Sequence, residues 1–196
     1  MISRGGWVLL AFWLGAVPFA VLLGRLSGLG DVRTVGDGNP GATNAWKLGG
    51  WRLGLPVLIL DFFKGVLPVA VARHAWGWNG NWLVALALAP VLGHAFSPFL
   101  LGRGGKGLAT TFGVWTGLTL AEGPLVMGCA IVVGLLGLRL RDGWSIALGL
   151  LALGADLLLR NWPPVYMLIW ALMGGWLLWA YRYDLRLPLR KASDHG

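Results

Sequence analysis

Seven apolar stretches separated by short polar segments make up most of this chain. The first, Trp7 to Leu26, is interrupted by Pro18 and Phe19. No small-residue cleavage site stands after it, so it reads as a span rather than a removable leader. Leu53 to Ala72, Trp82 to Leu101 and Pro163 to Tyr181 follow the same apolar pattern. A bilayer core about 30 Å thick takes roughly 20 helical residues, and these four segments supply them. Leu108 to Ala121, Pro124 to Leu138 and Trp144 to Leu159 are shorter. They need little tilt, burial by neighbours or local bilayer thinning. The pattern predicts an all-α integral membrane protein: a compact bundle of about seven transmembrane helices, forming one domain over residues 1–196.

Composition excludes the other classes. Hydrophobic residues are 57% of the 196 and charged residues only 12%, about half the ~25% of soluble domains. A soluble globule lacks its charged surface at that level, and a disordered chain would be polar. The lone Cys129 excludes a disulfide scaffold or a cysteine-built zinc site. Net charge is +8, but the bases are scattered between apolar runs. They read as helix anchors facing anionic membrane lipids, with no nucleic acid implied. Twelve Lys and Arg fall in segments 25–52, 102–107, 139–143 and 181–196, against Arg4, Arg73 and Arg160 in the segments between. The positive-inside rule then puts the amino terminus outside and the carboxy terminus in the cytoplasm.

Polar residues carry the chemistry. Gly36-Asp37-Gly38-Asn39-Pro40-Gly41-Ala42-Thr43-Asn44-Ala45-Trp46-Lys47 joins permissive glycines to neutral hydrogen-bonding groups and a cation. By itself it fits a turn before a capped helix equally well. Asp61 and Lys64, at i and i+3, share one helical side inside an apolar span. An intramembrane ion pair is costly and faces a polar interior, either for function or for mutual neutralisation. Asp156 and Arg160, at i and i+4, read as a structural pair. Finally Gly93-His94-Ala95-Phe96-Ser97 precedes Gly102-Arg103-Gly104-Gly105-Lys106-Gly107-Leu108-Ala109-Thr110. Glycines exposing backbone N–H groups before a helix, with a lysine, suit a phosphate. The spacing is not that of a Walker A loop, so nucleotide hydrolysis is not indicated. A flexible basic hairpin is the plain alternative.

Together these pieces resemble the bacterial membrane glycerol-3-phosphate acyltransferases that use acyl phosphate as donor. The likeness runs from about Gly15 to Tyr181 and rests on Gly38-Asn39-x-Gly41-Ala42-Thr43-Asn44, Asp61-x-x-Lys64-Gly65, Gly93-His94-x-Phe96 and Gly104-Gly105-Lys106-Gly107-x-Ala109-Thr110. It implies seven spans in the bacterial inner membrane with the active site open to the cytoplasm. It also implies acyl transfer to the 1-hydroxyl of glycerol 3-phosphate, giving lysophosphatidic acid and phosphate for phospholipid synthesis. An acyl phosphate is already activated, so no cofactor or metal is implied. Gly104, Gly105, Lys106 and Gly107 are assigned to the acyl phosphate. Asn39, Asn44, Lys47 and Lys64 are assigned to glycerol 3-phosphate and charge stabilisation. His94 is the candidate base or orienter, so that Lys64, His94 and Lys106 form the catalytic set. Thr43 and Arg182 complete the substrate-binding set. Association with other enzymes of phospholipid synthesis fits the same reading.

The chain departs from the family pattern at several places. Asp37 stands where Ser is usual, Lys47 where Arg is usual, and Ala16 where Ser is common. Tyr181-Arg182-Tyr183-Asp184-Leu185 replaces a carboxy-terminal His-Arg-x-Asn-Ile and its following Gly-x-Glu. Two other functions share these features: a catalytically impaired paralogue that binds lipid intermediates or a membrane partner, and a small transporter with Asp61, Lys64 and His94 in its path.

Overall fold

A computed structural model describes residues 2–190. Among them there are helices and one isolated antiparallel bridge, Leu140 to Arg190, and no extended sheet. The chain forms two compact units divided between Leu118 and Thr119.

The first unit opens with α1 (Arg4–Ala16) and α2 (Phe19–Leu26). Pro18 lacks an N–H and ends α1, and the two helices meet at 43°. The first predicted span is therefore a broken one. Its break releases two carbonyls: Ala16 O accepts from Ser97 Oγ at 2.6 Å and Val17 O from Lys64 Nζ at 3.2 Å. Helix α3 (Ala42–Ala70) starts eleven positions before the predicted Leu53, because the segment after Gly41 is already helical. Gly49 and Gly50 interrupt it, Gly50 at φ 59°, where a Cβ would be strained. Its end widens through Val71–Ala75, where Trp76 N–H reaches back five residues to Val71 O at 3.2 Å. Helices α4 (Gly80–Ala95) and α5 (Leu108–Thr119) complete the unit.

Close backbone approach sets these helices side by side. A Cβ on Gly15 would strike Pro90 O, and one on Gly93 would strike Phe12 O, so α1 and α4 fit glycine to backbone in both directions. Gly65 against Thr110 O and Gly113 against Phe62 O do the same for α3 and α5. Small residues drive such packing where lipid offers no hydrophobic force between helices. The outer faces carry exposed Leu9, Leu10, Trp13, Leu58, Ile59 and Leu67, the surface of a protein whose solvent is lipid.

The second unit contains α6 (Glu122–Val132), α7 (Asp142–Leu159), α8 (Pro164–Ala180) and the short α9 (Arg182–Leu185). Gly154 lies flat against the Trp170 ring, whose Nε1 donates to Leu150 O at 2.8 Å. Arg160 pairs with Asp156 at 3.0 Å as the spacing suggests, and also with Glu122 at 2.9 Å, a partner that spacing could not reveal.

With α1 and α2 counted as one broken span, the described residues hold seven apolar helical segments where seven are expected. Three are long enough on their own (Ala42–Ala75, Gly80–Leu100 and Asp142–Leu159), and the bent pair makes a fourth. Glu122–Gly137 and Pro164–Ala180 are shorter apolar helices, and α5 is shorter still.

Candidate functional site

The innermost part of the site lies within the first unit. Helix α3 buries Asp61 and Lys64 together, and the last turn of α4 brings His94 to them. Lys64 Nζ is 2.7 Å from Asp61 Oδ1, 2.7 Å from His94 Nδ1 and 3.2 Å from Val17 O, with the Phe19 ring centroid at 5.6 Å. An ammonium only donates, so its contact with the imidazole fixes the direction of that bond. His94 Nδ1 is then the acceptor, which leaves the neutral ring's proton on Nε2. His94 Nδ1 also lies 3.7 Å from Asp61 Oδ1.

The glycine-rich segment folds back over the end of α4. Gly104 N–H donates to Ala95 O at 3.0 Å, Gly105 N–H to His94 O at 3.1 Å, and Gly102 N–H to Ser97 O at 2.9 Å. These bonds satisfy carbonyls that a helix end leaves open. A Cβ on Gly104 would strike His94 O, and one on Gly105 would strike His94 Nε2. The Nε2 edge of the ring therefore lies against Gly105. Left-handed backbone occurs at Gly102 and Gly107 instead, with φ of 76° and 81°. Gly105 is glycine because the imidazole needs the space.

The first polar loop is tied to this segment. Asn39 Oδ1 accepts from Lys106 N–H at 3.0 Å, and Lys106 Nζ is 2.8 Å from Asp37 Oδ2. Asp37 Oδ1 accepts from Asn44 Nδ2 at 3.0 Å and from Asn39 N–H at 3.2 Å. Asn44 Nδ2 also donates to Asn39 O at 3.0 Å. Partial burial raises the affinity of the Asp37 carboxyl for a proton, but Lys106, Asn39 and Asn44 outweigh it and hold the group below the usual carboxylate range. Asn44 is buried, and its Oδ1 has no hydrogen-bond partner. That oxygen faces Gly36, where an added Cβ would also come within 3.0 Å of Lys47 Nζ.

The candidate residues thus divide. Asn39, Asn44, Lys64, His94, Gly104, Gly105 and Lys106 form one connected arrangement, and Gly107 closes its loop before α5. Thr43 and Lys47 are exposed on the first turns of α3. Arg182 belongs to the second unit, where its guanidinium stacks on Trp179 at 4.1 Å and Tyr183 at 4.5 Å and donates to Trp179 O at 2.9 Å. The catalytic and substrate-binding sets read from the sequence did not include Asp61, Asp37 or Ser97. Asp61 was visible as the i, i+3 partner of Lys64, whereas the contact of Ser97 with Ala16 joins residues far apart in the chain. Among the described residues no three His, Cys, Asp or Glu side chains converge as a metal site would need.

Comparison with known proteins finds matches over more than nine-tenths of the chain. A family model described as glycerol-3-phosphate acyltransferase matches residues 6–190. Glycerol-3-phosphate acyltransferase 1 of Thermotoga maritima is 36% identical over 191 residues, covering 92% of this chain and 94% of the relative. The glycerol-3-phosphate acyltransferase of Pseudomonas syringae pv. tomato is 39% identical over 186 residues, covering 94% of each. The crystal structure of PlsY (YgiH), an integral membrane glycerol 3-phosphate acyltransferase in its glycerol 3-phosphate form, superimposes with a TM-score of 0.86 at 28% identity over 94% of this chain and 90% of that one. Its lysophosphatidic acid form gives 0.84 at 26% identity with the same coverage.

Proposed function

The chain belongs to the glycerol-3-phosphate acyltransferase family, an integral membrane acyltransferase of phospholipid synthesis, and from that premise we propose that it uses acyl phosphate as the donor. A fatty acyl group passes to the 1-hydroxyl of glycerol 3-phosphate, and lysophosphatidic acid and phosphate leave. The observation that carries this reading is the unbroken run of contacts from Asp61 and Lys64 through His94 to Gly105, Lys106, Asn39 and Asn44. It brings the Lys106 ammonium and the His94 imidazole to one glycine-rich segment, whose Gly104, Gly105 and Lys106 N–H groups are spent on Ala95 O, His94 O and Asn39 Oδ1.

The reaction is chiefly one of approximation. The acceptor hydroxyl oxygen bonds to the acyl carbonyl carbon, the bond from that carbon to the phosphate oxygen breaks, and the hydroxyl proton goes to a phosphate oxygen. In this reading Lys106 stabilises the charge on the departing phosphate. His94 acts as a donor through Nε2–H rather than as the base, because Lys64 occupies Nδ1. Lys64 and Asp61 hold that tautomer. Asn39 and Asn44 order the loop. Residues 1–196 work as one catalytic domain in this scheme, in line with a family match that runs across both units.

Purified full-length protein mixed with acyl phosphate and glycerol 3-phosphate should release phosphate and form lysophosphatidic acid. Equal or faster turnover with acyl-CoA would remove acyl phosphate as donor. Binding of both substrates without turnover would instead identify an impaired paralogue. The charge distribution supports an inner-membrane orientation with the amino terminus outside and the site cytoplasmic. A cysteine placed at Gly38 in a Cys129-free chain should be labelled from the cytoplasmic side, and labelling from outside would reverse the orientation.

A further inference from the structure

Asp37 holds the donors that an incoming phosphate would need. Its two carboxylate oxygens receive the Lys106 ammonium at 2.8 Å, the Asn44 amide at 3.0 Å and the Asn39 backbone N–H at 3.2 Å. A cation, an amide N–H and a main-chain N–H converging on a pair of oxygens is equally the donor set of a phosphoryl group. The donors are held independently of the carboxylate. Asn44 is buried and its Nδ2 is shared with Asn39 O, while Asn39 Oδ1 is tied to Lys106 N–H. The carboxylate is less constrained. Its side chain is half-exposed and lies between Gly36 and Gly38, whose φ angles of 60° and 73° belong to the left-handed region. Turning it outward leaves Asn44 and the Lys106 backbone in place.

We propose that Asp37 occupies the phosphoryl position among Lys106, Asn44 and the Asn39 N–H in the unliganded chain and is displaced when the phosphoryl group of a substrate binds. The proposal rests on the acyl-transfer reading for the identity of the substrates, though not for the presence of the subsite. Two anions cannot share these donors at close range, because their repulsion is strong in a partly water-excluded loop. Displacement is complete before the chemistry begins, so its cost falls equally on ground and transition states. It therefore raises KM and leaves kcat alone.

The test compares full-length wild type with Asp37→Ser and Asp37→Asn. Asp31→Asn serves as control, removing an equal charge from the separate Arg25 and Arg33 network on the same loop. The probe is inorganic phosphate, titrated into each detergent-solubilised protein, followed by KM and kcat for acyl phosphate and for glycerol 3-phosphate. Removing the competing carboxylate should lower the phosphate Kd roughly tenfold in Asp37→Ser, the equivalent of about one charge-assisted hydrogen bond. Asp37→Asn should move it in the same direction, and either variant alone suffices if the other does not fold. Asp31→Asn should leave Kd unchanged. The substrate whose KM falls identifies the phosphoryl group that takes the subsite. Unchanged or weaker phosphate binding in the Asp37 variants would overturn the proposal, as would an equal gain in Asp31→Asn. Tighter phosphate binding in a protein that transfers no acyl group would sustain the subsite and reject the donor reading. Active wild type with no gain in the Asp37 variants would do the reverse.

Discussion

The Asp61–Lys64 and Asp37–Lys106 pairs join the same two functional groups at nearly the same separation, 2.7 and 2.8 Å. Their surroundings differ. The first leaves 3% and 1% of its side chains exposed, the second 52% and 28%. Charge taken out of water carries a desolvation cost that only complete pairing offsets, so the inner pair is fixed by the penalty for breaking it. The outer pair keeps part of its hydration, contributes less to stability, and can exchange one anion for another. One pair can hold an imidazole in a single tautomer, and the other can give way to a ligand.

Breaking the inner pair should have the largest effect. Lys64→Ala leaves Asp61 buried without its cation and should lower stability by about 3–5 kcal/mol, read as a fall in thermal midpoint in detergent. Replacing both partners by apolar residues, Asp61→Leu with Lys64→Met, should recover much of that stability and none of the activity. A stable, active Lys64→Ala protein would show that the pair neither holds the fold nor orients His94.

Lys106→Ala comes next, on activity rather than stability. Loss of one charge-assisted hydrogen bond is worth roughly 1.5–3 kcal/mol, or about a 10- to 150-fold fall in kcat/KM. Its thermal midpoint should fall less than that of Lys64→Ala, because the Lys106 side chain is 28% exposed and that of Lys64 1%. Arg103→Ala, on an exposed neighbour in the same loop, should retain most activity. Equal tolerance of both substitutions would make the segment only a basic hairpin.

Gly105→Ala connects the two regions. Its methyl group would land on His94 Nε2, and such overpacking costs about 1–3 kcal/mol. If the imidazole is what it strikes, the damage should largely disappear in a His94→Ala background, a non-additivity that a double-mutant cycle measures. Additive losses would place the strain elsewhere.

The smallest effect belongs to a pair of the outer kind in the second unit. Arg160, 61% exposed and shared between Asp156 and Glu122, should cost below about 1 kcal/mol as Arg160→Ala in thermal unfolding. A larger loss would mean that exposure alone does not separate the two classes of pair.

Much of the fold was legible in the chain, because spans in lipid are long, apolar and obliged to satisfy their own backbone. Pro18 marked the break in the first span, though not the use made of it: the carbonyls freed there receive Ser97 and Lys64 from remote parts of the chain. The helical run after Gly41 was less visible. Polar Thr43, Asn44 and Lys47 carry no apolar period, and the helix is held by Asn44 and Ala45 facing inward. In the site, the i, i+3 spacing of Asp61 and Lys64 announced a pair, whereas the exposed N–H groups expected of the glycines around Lys106 are taken up by Ala95 O, His94 O and Asn39 Oδ1.

By itself the sequence determined the membrane class, the apolar segments and the residue types available for phosphate chemistry, since each follows from composition and short-range spacing. Only the tertiary structure decided what each polar residue faces. Spacing along one helix cannot say that Lys64 meets a histidine thirty positions away, that Gly105 makes room for that ring, or that Asp37 lies on Lys106 rather than in solvent. Those contacts come from helices brought close at glycine by long-range packing, and a one-dimensional pattern contains no term for it.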